Sequence, residues 1–226
     1  MNEDDLEPII ESVQEWAGSR NEMRHESDTQ TALVVSCSMS SCKLRGPLWP
    51  VDATWNVVSV GTLGNQTQER YEGKTVPDST IEHLRTQHDI TAVLVVGHTS
   101  CEVLEDAYER WATPDAESPV GIEVRLNPLR SLVGEGFEEG VLTESLPLQT
   151  VQHRLVEYNV CQQVRFLQQA LPPSVTVAGY VHDQDGAYSS FPDKRYLVAF
   201  DGVTDPATIR ARLPDDASIR VASLLT

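Results

Sequence analysis

Lysine is almost missing from this chain of 226 residues: Lys43, Lys74 and Lys194 stand against 34 aspartates and glutamates. The formal net charge is −17. A surface so anionic repels nucleic acid and anionic lipid, which excludes both as partners. Excess carboxylate with scarce lysine suits a cytoplasm of very high salt, where self-repulsion is screened, and reads as a halophile's protein. Cysteine is also scarce. Four in a chain of this length make no disulfide framework and point to metal or thiolate chemistry. No run reaches the ~18–20 apolar residues of a membrane span. The opening "MNEDDLEPII" is acidic and lacks the order of a secretory signal, so a cytoplasmic location is expected. No Gly-rich phosphate loop follows any apolar run, which leaves no nucleotide site.

What is present is an alternation of apolar runs and amphipathic segments. Residues 3–24 read as a helix, with Leu6, Ile9, Ile10, Val13 and Trp16 at helical spacing. Short β-branched runs at 32–37, 55–61, 90–98, 174–183, 195–200 and 218–225 read as strands. Helices are expected at 78–89, 100–112 and 150–171. The stretch between the last two, with "ATPDAESPVG" and "VGEGFEEG", reads as an interrupted middle. Strands that are apolar throughout and alternate with helices predict an α/β fold: a mainly parallel central sheet flanked by helices. Residues 1–28 form an N-terminal helical arm in this reading, and residues 29–226 form one domain.

Two valine runs end in metal-type side chains: "VVSC", closing on Cys37, and "VVGHTSC", with His98 and Cys101. In open α/β sheets ligands bind beyond the carboxyl ends of the strands. Neighbouring strands would therefore bring Cys37, His98 and Cys101 to one edge. Two thiolates and one imidazole are three-quarters of a tetrahedral zinc shell, and three protein ligands leave a position open for water. Cys101 falls in the first turn of a helix, where the macrodipole favours a thiolate.

At these residues the chain resembles the β-class carbonic anhydrases, which carry C-x-D-S-R after one strand and H-x-x-C after a later one. The counterparts here are "CSMSS" at 37–41 and "HTSC" at 98–101. "LGN" at 63–65, "YNVCQQVRFL" at 158–167 and "VAGYVHDQDGAY" at 177–188 are similar to further family segments, so that the likeness spans roughly residues 30–190. The resemblance implies Zn2+ held by Cys37, His98 and Cys101, and a zinc-bound hydroxide that converts carbon dioxide reversibly to bicarbonate. It also implies a homodimer or tetramer.

The likeness has a gap. The family's Asp and Arg in C-x-D-S-R orient the nucleophile, and here those positions are Met39 and Ser41. Only Ser40 of the three is kept, which leaves it as the catalytic candidate of this loop. The Arg-Asn pair expected before the family's Gly-Asn is absent from "GTLGN". A lost proton acceptor costs about 10²–10⁴ in rate. Alternatives to an active anhydrase are a non-catalytic zinc-binding relative with a structural or regulatory role, and a hydrolase of a related small molecule such as carbonyl sulfide.

Three roles stand open for Cys42: a fourth ligand, a redox partner of Cys37, or a loop cysteine without function. Cys161 belongs to a helix core. His182 either approaches a pocket from its strand or faces solvent. His25, His83, His88 and His153 lie on polar stretches and are expected in solvent. Glu102 and Asp106 form a solvated helix face, or accept protons at the rim of a pocket.

Overall fold

The computed structural model describes residues 30–38, 55–114, 119–213 and 220–225. The N-terminal segment read as a helical arm lies outside them. So do Met39, Ser40, Ser41 and Cys42.

A five-stranded sheet organises the chain. Its strands are β1 (Gln30–Cys37), β2 (Trp55–Thr62), β5 (Ile90–His98), β6 (Thr176–Asp183) and β7 (Lys194–Phe200), in the order β2-β1-β5-β6-β7. The first three pairings are parallel, and only β7 runs antiparallel, on β6. The mainly parallel α/β architecture expected from the alternation is thus the one observed. β5 has the bounds read from its apolar run. It is buried along nearly its whole length, as a strand covered on both faces must be.

Alternate residues of the strands feed two cores. Leu33, Val35, Val93 and Val95 face one side, where they meet α2 (Glu102–Ala112), α3 (Val120–Glu138) and α4 (Leu148–Ala170). Ala32, Val34, Ala92, Leu94 and Val96 face the other side. There they pack with Tyr180, Leu197, Phe200 and Ile209, the last from α5 (Pro206–Arg210). The helix read at 78–89 is α1 (Ser79–Gln87), capped by the Asp78 carboxylate, which accepts from Thr80 N–H at 2.9 Å.

Three regions depart from the sequence reading. The interrupted middle contains the nineteen-residue α3, with Pro128 inside it. Interior proline costs about 3 kcal/mol, but Leu126, Leu129, Leu132 and Val133 bury one face. Two of the three glycines of α3 lie where neighbours come close. A Cβ at Gly134 would stand 3.3 Å from the Trp111 indole nitrogen, and one at Gly136 2.8 Å from Leu142. Residues 68–77 form an unforeseen hairpin, β3 (Gln68–Tyr71) with β4 (Lys74–Pro77), around Glu72 and Gly73. Both turn residues have positive φ, 48° and 78°, as a type I′ turn requires. The strand read at 218–225 is, in the described part, a single parallel bridge from Val221 to Leu197. Beyond that bridge Ala222 and Leu225 pack against the core.

Candidate metal centre

β1 and β5 are adjacent and parallel, so both carboxyl ends open at one edge of the sheet. Cys37 is the last residue of β1 and His98 the last of β5. Thr99 and Ser100 turn the chain, and Cys101 is the N-cap residue of α2, its carbonyl accepting from Leu104 and Glu105 N–H. The three residues anticipated from sequence therefore converge. Their ligand atoms lie within 4.8 Å of one another, and all three residues are buried.

The donor geometry suits a tetrahedral ion. The two sulfurs stand 3.9 Å apart. That is near the ~3.8 Å separating two thiolates bonded at about 2.3 Å to one tetrahedral ion, and about twice the length of a disulfide bond. His98 Nδ1 lies 2.9 Å from the Thr99 carbonyl. A carbonyl only accepts, so the ring donates through Nδ1 and keeps the Nε2 lone pair for a metal. The start of α2 lends its positive end to Cys101 and favours the thiolate. Two soft thiolates with an imidazole can hold a metal ion of the zinc type.

The turn between the ligands is held from outside. Thr99 N–H donates to the His182 carbonyl at 3.0 Å, and Gln184 N–H donates to Thr99 Oγ1 at 2.8 Å. Ser100 Oγ donates to Asp185 Oδ2 at 2.7 Å, and His153 Nε2 stands 3.0 Å from the same oxygen. Sequence reasoning missed Asp185, Thr99 and Ser100. The available signal was "DQDG", a turn cluster at the carboxyl end of a strand on the same edge.

The remaining candidates fall as follows. His182 is only 9% exposed, so its solvent-facing reading is corrected. It pairs in register with His98, and its Nε2 lies 3.7 Å from Asp193. Burial first, then the Arg195 charge, holds its pKa below the ordinary value. His153 is not free in solvent either, because it is occupied by Asp185. His83 is exposed. Cys161 is in the core as expected, and burial drives its thiol pKa far up. Glu102 is exposed and Asp106 pairs with Arg110 at 2.8 Å, consistent with a solvated face. Ser40, the catalytic candidate, and Cys42, the possible fourth ligand, lie outside the described residues.

Beside the turn, Ser100, Cys101, Glu105 and Gln152 close against the apolar Leu104, Leu155 and Val156 and leave no room for a water molecule. Burial, then the charges of Glu102, Glu109 and Asp185, raise the pKa of Glu105. No helix among the described residues is long and apolar enough to cross a membrane.

Comparison with known proteins places the fold. No protein-family profile matches the chain, and no curated protein matches its sequence. Solved structures do. The β-carbonic anhydrase CafA of Aspergillus fumigatus superposes with a TM-score of 0.54 at 19% identity, over 86% of this chain and 85% of its own. The Coccomyxa β-carbonic anhydrase, solved with acetazolamide, gives 0.52 at 17%, over 84% and 81%. A variant of the A. fumigatus β-carbonic anhydrase CafD gives 0.50 at 20%, over 77% and 90%. At these identities the likeness is one of fold: the described chain has the fold of the β-carbonic anhydrases.

Proposed function

We propose that this protein is a divergent β-class carbonic anhydrase, which uses zinc at Cys37, His98 and Cys101 for the reversible hydration of carbon dioxide. One observation carries the reading: two thiolates and an imidazole converge, buried, at the carboxyl edge of a sheet with the β-carbonic anhydrase fold. Zinc with an open coordination position brings the pKa of its water near 7, as in carbonic anhydrases generally, and so supplies a nucleophile at neutral pH.

The chain's own residues contribute the rest. The Thr99 carbonyl fixes the His98 tautomer. Cys101 stands at the start of α2, whose positive end favours a thiolate there. Leu104, Leu155 and Val156 pack beside Cys101 and keep water from that flank of the site. Residues 29–226 are read as one zinc domain with 1–28 as its arm, active as an even-numbered oligomer in the cytoplasm. Surface charge favours operation in high salt.

Met39 and Ser41 favour a second reading, in which zinc is kept and turnover is lost. The deciding experiment is stopped-flow hydration of carbon dioxide in multimolar salt, on protein whose zinc has been quantified in the same sample. Activity above free zinc and above a Cys101→Ser control supports the anhydrase. One zinc per chain without activity establishes the second reading and sinks the first.

A further inference from the structure

Only Thr99 and Ser100 separate the ligands His98 and Cys101, so their torsions decide where the Cys101 sulfur lies. Ser100 has φ of 55°, a left-handed conformation that disfavours any residue with a Cβ. Something outside the turn must hold it there. The nearest side-chain partner is Asp185, whose Oδ2 takes the Ser100 hydroxyl at 2.7 Å and faces His153 Nε2 at 3.0 Å. Asp185 is presented by a built turn. The Asp183 carboxylate accepts from Ala187 and Tyr188 N–H, and Gly186 between them has φ of 78°. His153 comes from α4, so the brace joins the β6–β7 loop, the β5–α2 turn and a helix.

We propose that Asp185 is a positioning residue of the metal centre: its carboxylate, braced by His153, holds Ser100 in the left-handed conformation that returns Cys101 to His98. The proposal rests on the metal-binding part of the reading above. Burial works to raise the Asp185 pKa, but hydrogen bonds from Ser100, His153 and Thr99 outweigh it and leave it below the ordinary value. The acceptor is thus kept ionised, the form that binds two donors most strongly. The brace thus places its carboxylate on the turn between His98 and Cys101.

The test reads metal and not turnover. Wild type, Asp185→Ala and Ser100→Ala are loaded with zinc, and release to a chromophoric chelator is timed. The same proteins loaded with cobalt(II) give visible spectra that report thiolate geometry. Both variants should bind one metal per chain, release zinc about 10- to 100-fold faster and shift the cobalt bands. On a Ser100→Gly background, where positive φ costs nothing, Asp185→Ala should add little. A lowered Tm with wild-type release and an unshifted cobalt spectrum would make Asp185 a loop staple only and overturn the proposal. If Asp185→Ala fails to fold, Ser100→Ala decides, since it removes the same bond and leaves the 184–193 loop intact. Wild type that takes up neither metal overturns the proposal together with the metal site. Neither readout involves carbon dioxide, so an inert but metal-loaded enzyme does not bear on it.

Discussion

The candidate ligands stand on two unlike supports. His98 and Cys101 share one turn, stitched to the end of β6 by Thr99, Ser100, Gln184 and Asp185. Cys37 stands where β1 ends, in register with Thr62, with the next N–H, that of Ser38, donating to the Thr62 carbonyl at 2.9 Å. The first support is local: a few side chains fix two ligands relative to each other. The second is the sheet itself, because the place of Cys37 depends on the register of β1 against β2 and β5. Damage to the turn should therefore alter the metal while sparing the fold, whereas damage to the sheet alters both.

Removing a ligand from the stitched side breaks the comparison outright. Cys101→Ser should lower zinc content well below one per chain, measured by metal analysis after desalting. Full retention would remove Cys101 from the ligand set. Next in size is a rebuilding of the other side. Met39→Asp with Ser41→Arg restores the family's acid and arginine and should raise hydration by about 10² or more, since positioned proton acceptors contribute that much. An unchanged stopped-flow rate means that the 39–41 loop runs elsewhere.

Smaller is a methyl group under the turn. A Cβ at Gly97 would lie 2.6 Å from Val160 Cγ2, and overpacking of this kind costs about 1–3 kcal/mol. Gly97→Ala should lose that much in denaturant unfolding. Because it acts through the sheet, the metal-release rate should change with it.

The smallest effect involves neither set of ligand contacts directly. Glu157 is 1% exposed and accepts from Tyr188, Ser223 and Leu224. Burial raises its pKa above 4.5 against the lowering effect of those bonds. A raised carboxyl pKa means that the folded chain holds the proton more tightly than the unfolded one. Its contribution is present below the ordinary value and is lost as pH rises through the folded value. Relative to Glu157→Gln, wild type should lose stability over that rise, and a flat difference would refute the assignment.

Much of this was readable in the chain. β5 declares itself because Ala92–Val96 run apolar with a β-branched centre, and α4 because its apolar stripe persists over six turns. Cys37, His98 and Cys101 are visible because each ends an apolar run or follows one closely. α3 was hidden by Pro128 and by glycines whose reason is the partner side chain: Gly134 beneath Trp111, Gly136 against Leu142. The hairpin at 68–77 was hidden because "QERYEGKTVP" has no apolar alternation, and its two positive-φ residues are Glu-Gly in place of the usual Asn-Gly. Asp185 was hidden for another reason. It lies 85 positions from Ser100, and nothing local marks a carboxylate as one that another loop will need.

The spacing between α4 and the sheet has a consequence for how this chain can change. One methyl of Val160 rests over Gly97 and the other over Gly179, at 2.6 and 2.7 Å from where a Cβ would stand. A single branched side chain thus fills the shallow trough that two glycines make on neighbouring strands. Substitutions at the two glycines are coupled to the α4 valines above them. Gly97 tolerates alanine only where position 160 gives up a methyl, and Gly179 only where Val164, 2.8 Å from a Cβ there, yields as well. A change at either glycine therefore calls for compensating changes in α4, with the lone glycine replacement as the unstable intermediate.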